Sequence, residues 1–112
     1  MELNVEKVDD IAFVELTFTE LDASNVGEFE RDIAPVVEQN TKVVFDMKEV
    51  QFLDSSALRV ILLCLKQLNA KGGDLKLCSL TKPVHVTFEV ARMHRLLEIC
   101  KDREEAVKAF QR

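Results

Sequence analysis

The sequence lacks long apolar runs, which limits where the chain can reside. Its longest uninterrupted run, residues 60–65, is far shorter than the ~20 apolar residues that a membrane-spanning helix needs. The first residues, Met-Glu-Leu-Asn-Val-Glu, contain neither a basic start nor the apolar core of an export signal. We therefore expect a cytoplasmic protein that does not insert directly into a membrane.

Clusters of cationic residues are also missing. Asp and Glu number 20 against 15 Lys and Arg, the formal charge is −5, and the cations form no stripe. Nucleic-acid phosphates would be repelled on balance, so we expect no nucleic-acid partner.

Cysteines are few, and their spacing fits neither disulfides nor a metal site. Cys64, Cys78 and Cys100 are odd in number, widely spaced and surrounded by aliphatic residues. No Cys pair or Cys/His pair has the spacing of metal ligands. The pattern predicts reduced cysteines in the core, with no metal and no cofactor.

The usual signatures of catalysis are absent. A serine nucleophile needs a base, and only His85 and His94 are available. The chain has no Gly-x-Ser-x-Gly elbow, no Gly-rich phosphate loop and no carboxylate pair suited to acid–base chemistry. The sequence therefore predicts that the protein is not an enzyme and has no catalytic residues.

The residues that are present indicate one globular α/β domain over residues 1–112. Hydrophobic residues make up 47% and charged residues 31%, which is ordinary for a folded domain. Apolar periodicity predicts helices around residues 29–37, over about 55–70, from 81 onward and after 102. It predicts strands at residues 3–8, 11–17, 42–46, 74–80 and 96–99. This order implies a mainly parallel mixed sheet of about five strands with an antiparallel N-terminal edge hairpin and four α-helices.

Several local signals predict helix ends and loops. Asn25 with Glu28, and Asp102 with Glu105, have capping-box spacing, and Thr81 is placed to cap the third helix. A proline inside the first helix, Pro35, predicts a kink or a split at residue 34. Residues 19–22 are predicted as a loop. The apolar residues of the loop after the 42–46 strand, Val50, Phe52 and Leu53, are predicted to pin that loop to the core.

The most informative stretch is the start of the long helix, where Asp54, Ser55 and Ser56 occupy the first turn. Unpaired N–H groups and the positive end of the helix dipole favour an anion there. A helical wheel places Ser55, Arg59 and Lys66 on one polar face, with Leu63 beside it. Simple N-capping would also explain the Asp and Ser residues. An incidental surface position would explain the leucine.

The sequence around this helix start resembles a known family. Residues 52–58, Phe-Leu-Asp-Ser-Ser-Ala-Leu, after the strand Val-Val-Phe-Asp, resemble the signature of the STAS domain, the anti-sigma factor antagonist fold. The resemblance extends over about residues 3–110. It includes Glu20-Leu21-Asp22, Gly72-Gly73, and Pro83-Val84 with Phe88.

The resemblance implies a binding switch. In the family, the serine after the signature aspartate, here Ser55, is phosphorylated by an anti-sigma factor that is itself a serine kinase. Ser56 is the rival acceptor, and a PP2C-type phosphatase is a further implied partner. The partner-binding residues predicted on this basis are Asp22, Asp54, Ser55, Ser56, Arg59, Leu63 and Lys66.

The chain departs from the family pattern at four positions. Ala57 and Arg59 stand where the family commonly has glycine, and Thr19 replaces the glycine before Glu-Leu-Asp. Arg92 occupies a helix end where the family often has glycine, at a cost of about 1 kcal/mol if it adopts a left-handed conformation. These changes leave the identity of the partner open.

Two alternatives keep the same fold. The first is a non-phosphorylated STAS scaffold subunit of a membrane lipid-transport ATPase. The second is a small-ligand or nucleotide sensor that uses the same end of the molecule. The oligomeric state is not predicted.

Overall fold

The computed structural model describes Met1 and residues 3–112. Seven strands, four α-helices and one 3₁₀ turn occur in this part of the chain. The strands are β1 (Leu3–Val8), β2 (Ile11–Leu16), β3 (Glu20–Leu21), β4 (Lys42–Asp46), β5 (Phe52–Leu53), β6 (Asp74–Cys78) and β7 (Glu98–Cys100). The helices are α1 (Val26–Gln39), α2 (Ser55–Ala70), α3 (Lys82–Val90) and α4 (Arg103–Gln111), and the 3₁₀ turn is Met93–Arg95.

Five strands form the main sheet in the order β1-β2-β4-β6-β7. β1 and β2 are antiparallel, and the other neighbours are parallel. This confirms the predicted mixed sheet with an antiparallel N-terminal hairpin and four helices. Val43, Val44 and Phe45 of β4 are all fully buried, because helices cover both faces of this central strand.

The two faces of the sheet carry cores of different size. The larger core lies under α1, α2 and α3 and includes Phe29, Phe45, Leu65 and Phe88. The smaller core lies under α4, where Phe13, Val44, Ala106 and Ala109 are buried and Val107 and Phe110 are partly buried. The start of α2 therefore belongs to the face that carries three helices.

A second, two-stranded sheet was missed by the sequence prediction. β3 pairs with β5 in parallel, with Glu20 opposite Phe52 and Leu21 opposite Leu53. The predicted loop at residues 19–22 is therefore partly a strand. Val50 and Leu53 are buried as predicted, but Phe52 is 52% exposed, so its predicted role in the core is wrong. Successive side chains of a strand point to opposite faces, so burying Leu53 turns Phe52 outward.

The predicted helix caps have mixed outcomes. Asp102 Oδ1 accepts a hydrogen bond from Glu105 N at 2.9 Å, as predicted for α4. Asn25 occupies the N-cap position of α1 without capping it, because its side chain bonds to Asp22 N and Glu20 O in the preceding loop. Glu28 instead pairs with the N-terminal amine at 3.0 Å.

Thr81 also occupies a cap position without capping, because its hydroxyl donates to Val50 O at 2.8 Å. The Asn25 and Thr81 capping predictions are therefore wrong. Local spacing identifies the helix starts, but nearby loop atoms compete for the side chains.

α1 continues through Pro35, so the predicted split at residue 34 is wrong. Proline removes one backbone donor, whereas Phe29, Ile33 and Val37 anchor the same helix in the core. The tertiary packing of this face keeps the helix continuous.

Two glycines end α2 for different reasons. Gly72 has φ of 81°, which glycine adopts without steric cost. A Cβ on Gly73 would lie 2.0 Å from Thr41 O, so no other residue fits beside that backbone. Gly73 is therefore required, and glycine is favoured at Gly72.

The predicted last strand, residues 96–99, begins two residues later as β7, because the chain first forms the 3₁₀ turn Met93–Arg95. Arg92, just before that turn, has φ 60° and ψ 20°, the left-handed conformation anticipated at this position. In this conformation a Cβ crowds the backbone.

Arg103 joins α4 to the sheet. Its Nε donates to Asp46 Oδ2 at 2.8 Å, its Nη1 donates to Glu6 Oε1 at 3.0 Å, and its guanidinium lies 5.3 Å from the Phe13 ring centroid. The carboxylate of Asp46, which is only 2% exposed, therefore has its main charge partner on α4.

We predict that Arg103→Met lowers the free energy of unfolding by about 2–3 kcal/mol, because it leaves the buried Asp46 carboxylate without its cation. Asp46→Leu combined with Arg103→Met should recover most of this loss. Urea unfolding measures both variants. Lys108→Met, which removes an exposed pair with Glu104, is the control and should change stability by less than about 0.5 kcal/mol.

We predict that Arg92→Gly raises the free energy of unfolding by about 0.5–1 kcal/mol. Relief of the left-handed strain exceeds the extra freedom that glycine gives the unfolded chain. Arg92→Ala keeps the Cβ and should give no gain in the same urea experiment. Equal stability of the glycine and alanine variants would show that residue 92 carries no strain.

Candidate functional site

Asp54 caps the start of α2. Its backbone is extended, with φ −105° and ψ −177°, and its Oδ1 accepts hydrogen bonds from Ala57 N at 3.1 Å and from Ser56 Oγ at 2.5 Å. The N-capping explanation of this sequence is therefore correct for Asp54.

The second oxygen of Asp54 links α2 to the loop before α1. Asp54 Oδ2 accepts from Ala23 N at 3.0 Å, and Asp54 N donates to Leu21 O at 3.3 Å. One carboxylate thus bridges two segments that are 31 residues apart in sequence. We call this set of contacts the Asp54 bridge.

The loop at residues 22–25, which we call the acidic loop, is held by its own hydrogen bonds. Asp22 Oδ1 accepts from Ser24 N at 2.9 Å and from Ser24 Oγ at 2.5 Å, and Asp22 O accepts from Val26 N at 2.8 Å. Since the Asp54 bridge fastens Ala23, the acidic loop lies against the start of α2. Asp22, Asp54, Ser55 and Ser56 are therefore brought to one end of the molecule.

The two adjacent serines have different environments. Ser55, the first residue of α2, is exposed, whereas Ser56 is half-buried and donates its hydroxyl to Asp54 Oδ1. At this helix start, Ser55 is therefore the more exposed of the two serines. Ser56 instead donates to the carboxylate that forms the Asp54 bridge.

Hydrogen bonding keeps Asp54 ionised. The bond from the Ser56 hydroxyl holds the pKa of Asp54 below its ordinary value, and the backbone N–H groups of Ala57 and Ala23 act in the same direction. Desolvation opposes them and is outweighed. The end of the molecule around Ser55 therefore carries a fixed negative charge at neutral pH.

The other predicted site residues lie farther along α2. Arg59 is exposed one turn from Ser55, and Lys66 is exposed about 16 Å along the helix axis. Leu63 is half-buried and lines a cavity of about 130 Å³ between α1 and α2. Arg59 and Lys66 are exposed on α2 like Ser55, and Leu63 is turned towards α1. None of the three takes part in the hydrogen bonds around Asp54.

Sequence reasoning missed Phe52 as a surface residue next to the site. It precedes Asp54 by two positions, and its backbone N donates to Thr19 O at 3.2 Å. The apolar pair Phe52-Leu53 gave no indication of which member faces inward. The β3–β5 pairing, which is a long-range contact, decides it.

The three cysteines are buried and free, as predicted. Burial raises the pKa of Cys64 to about 12 and those of Cys78 and Cys100 to about 11, so the unreactive thiol form dominates at neutral pH. Within the described residues, no group of three or more His, Cys, Asp or Glu side chains is placed to hold a metal ion. In that same part of the chain, every helix is too short or too polar to cross a bilayer.

Comparison with known proteins places this architecture in a family. The sequence profile of the STAS domain matches residues 2–106. The chain belongs to the STAS domain family. This confirms the resemblance seen in the signature around Asp54 and Ser55.

Individual STAS relatives cover nearly the whole chain. BtrV of Bordetella bronchiseptica, which is named as an anti-sigma factor antagonist, is 30% identical over 112 residues, covering 99% of this chain and 96% of BtrV. A Thermotoga maritima protein described as an anti-sigma factor antagonist has a similar structure, with a TM-score of 0.92, 23% identity, and coverage of 98% and 95% of the two chains. The phosphorylated form of Bacillus SpoIIAA has a TM-score of 0.71 at 21% identity, with coverage of 97% and 99%.

We predict that Ser56→Ala raises the pKa of the Asp54 carboxyl, because the Ser56 hydroxyl is the largest influence that lowers it. Ser55→Ala is the matched control and should leave that pKa unchanged. NMR titration of the Asp54 side-chain carbon measures both. Because the folded-state pKa is lowered, the stabilisation is present above the ordinary carboxyl pKa and is lost as pH falls through the lowered value. In Ser56→Ala this loss should be smaller and should be complete at a higher pH.

Proposed function

We propose that this STAS protein is an anti-sigma factor antagonist. The end formed by the acidic loop and the start of α2 docks on an anti-sigma factor serine kinase, and the sigma factor held by that kinase is released. Phosphorylation of Ser55 ends the interaction. The observation that carries the proposal is the exposed Ser55 at a helix start, beside a carboxylate that is already ionised and bridged to a second segment.

The relatives support the role by name. BtrV is named an anti-sigma factor antagonist at 30% identity over nearly the full chain. SpoIIAA has been solved in a phosphorylated form, so one protein with this fold accepts a phosphoryl group.

Solvent exposure favours Ser55 over Ser56 as the acceptor. A kinase must bring the γ-phosphate of ATP within reach of the hydroxyl, and Ser55 is exposed at the first position of α2. Ser56 is half-buried, and its hydroxyl is donated to Asp54 at 2.5 Å. Modification of Ser56 would remove its hydrogen bond to Asp54, whereas modification of Ser55 removes none of the hydrogen bonds of Asp54. The exposure of Ser55 would equally allow a PP2C-type phosphatase to remove the phosphoryl group.

Electrostatics explains how modification of Ser55 ends binding. A phosphoryl group adds about −1.5 to −2 charges next to Asp54 and close to the acidic loop. In the free protein, water and the positive end of the α2 dipole accommodate this charge. In a complex, the phosphate would be desolvated beside like charges. A penalty of about 3 kcal/mol weakens binding roughly a hundredfold.

The mechanism requires no large conformational change. The acidic loop is fixed by Asp22, Ser24 and the Asp54 bridge, and α2 is anchored along its buried face. The docking surface therefore has one shape in both states, and only its charge differs.

We predict that Ser55→Asp weakens binding to the cognate kinase roughly tenfold, because one negative charge imitates the phosphoryl group only partly. Ser55→Ala should bind like the parent and should not be labelled by the kinase with radioactive ATP. Ser56→Ala, the matched control, should still be labelled at Ser55. Candidate kinases are the anti-sigma-type serine kinases of the same genome, measured by calorimetry and by peptide mass spectrometry.

Two results would count against the switch. If Ser55→Asp binds as tightly as the parent, charge at this position does not control docking. If no candidate kinase labels Ser55 and Ser55→Ala behaves normally in cells, a non-phosphorylated scaffold role is the better explanation.

A further inference from the structure

The outer face of α3 exposes apolar side chains that the proposed switch does not use. Val86 and Val90, one turn apart, are 48% and 80% exposed, on the side opposite the buried Val84 and Phe88. Leu96, just after the 3₁₀ turn, is 56% exposed. Val90, the last residue of α3, is therefore largely exposed to solvent.

Cations surround these apolar side chains. Lys82 lies at the start of α3, and Arg92 and Arg95 lie at its far end. Within the described residues, none of the three side chains makes an ion pair or a side-chain hydrogen bond. The same holds for Arg59, Lys66 and Lys101, whereas seven other cations are paired with carboxylates: Arg31, Lys42, Lys48, Lys76, Arg103, Lys108 and Arg112. The only acidic residue between residues 82 and 96 is Glu89, which contacts His85 at 3.2 Å. This segment is net positive in a chain of formal charge −5.

Arg92 adds an independent observation. It is exposed, and it holds the left-handed conformation with φ 60°, which glycine would adopt without strain. Asp9 and Ser79 also have left-handed backbones, so the conformation of Arg92 marks it as a candidate contact residue and does not by itself indicate binding.

The start of α3 lies at the same end of the molecule as Ser55. α2 and α3 begin at the same edge of the sheet, because each follows a parallel strand. α3 packs against β5, and the Thr81 hydroxyl bonds Val50 O at 2.8 Å. The exposed ring of Phe52 belongs to β5, two residues before Asp54.

We propose that the partner of the Ser55 switch also docks on α3, through a surface that is acidic around an apolar centre. We call the contact surface on this chain the α3 patch: Val86, Val90 and Leu96 at its centre and Lys82, Arg92 and Arg95 at its rim. The inference rests on the proposed function and adds the chemistry of the partner. An apolar centre with a charged rim is the usual composition of a protein–protein interface.

The same chemistry explains why phosphorylation is effective. An acidic docking surface approaches the cationic α3 patch favourably, but it would meet the phosphoryl group on Ser55 with like charge. Attraction at α3 and repulsion at Ser55 then act on one partner.

The test measures binding of variants to the kinase that binds the parent chain. Val86→Ser with Val90→Ser should weaken binding at least tenfold, and Val5→Ser is the control, because Val5 is equally exposed (47%) on the edge strand β1. Arg92→Gly and Arg92→Ala should each weaken binding about three- to tenfold, although only the glycine variant relieves strain. Arg92→Lys keeps the positive charge and should retain most of the parent's affinity. Binding of the parent should weaken with salt, and that dependence should be smaller in the Arg92 variants.

The outcomes separate the two proposals. If Ser55→Asp weakens binding but all α3 variants bind like the parent, the partner does not contact α3 and the switch stands. The inference is also wrong if kinase binding is unchanged in the α3 variants while another interaction is lost. That interaction would be self-association, measured by sedimentation, or binding to vesicles containing phosphatidylglycerol. If no serine kinase binds the parent, both proposals fall.

Discussion

The geometry of this end of the molecule depends on one carboxylate, that of Asp54. It caps α2, accepts the Ser56 hydroxyl and holds the acidic loop through Ala23 N. Without these contacts, the loop and the helix start would be joined mainly by backbone bonds of the short β3–β5 pair. Because its pKa is lowered by these same bonds, Asp54 keeps its charge and its contacts together.

The rest of the fold supports this arrangement by packing helices on both faces of the sheet. Three helices share the larger core, and α4 covers the opposite face with a smaller core and the Arg103–Asp46 pair. Of the four departures from the family pattern, Thr19, Arg59 and Arg92 are exposed, whereas Ala57 is buried.

Much of the fold could be predicted because its signals are local. The alternation in β1 and β2, the consecutive apolar residues of β4 and the helical spacing in α2 each reflect burial within a few residues. The same local reasoning was wrong where a distant segment competes. Asn25 and Thr81 bond to loop atoms instead of capping helices. Pro35 is tolerated because α1 has buried residues before and after it. Phe52 turns outward because β5 pairs with β3.

The sequence by itself determined the α/β order, the family signature and the placement of Asp54, Ser55 and Ser56 at a helix start, since these follow from residue type and spacing. Only the tertiary structure decided which serine is exposed, that the acidic loop is bonded to Asp54, and that unpaired cations gather around exposed valines on α3. The physical reason is that hydrogen-bond partners and solvent exposure depend on segments far apart in sequence. Spacing along one chain cannot specify which of several possible neighbours will occupy the same space.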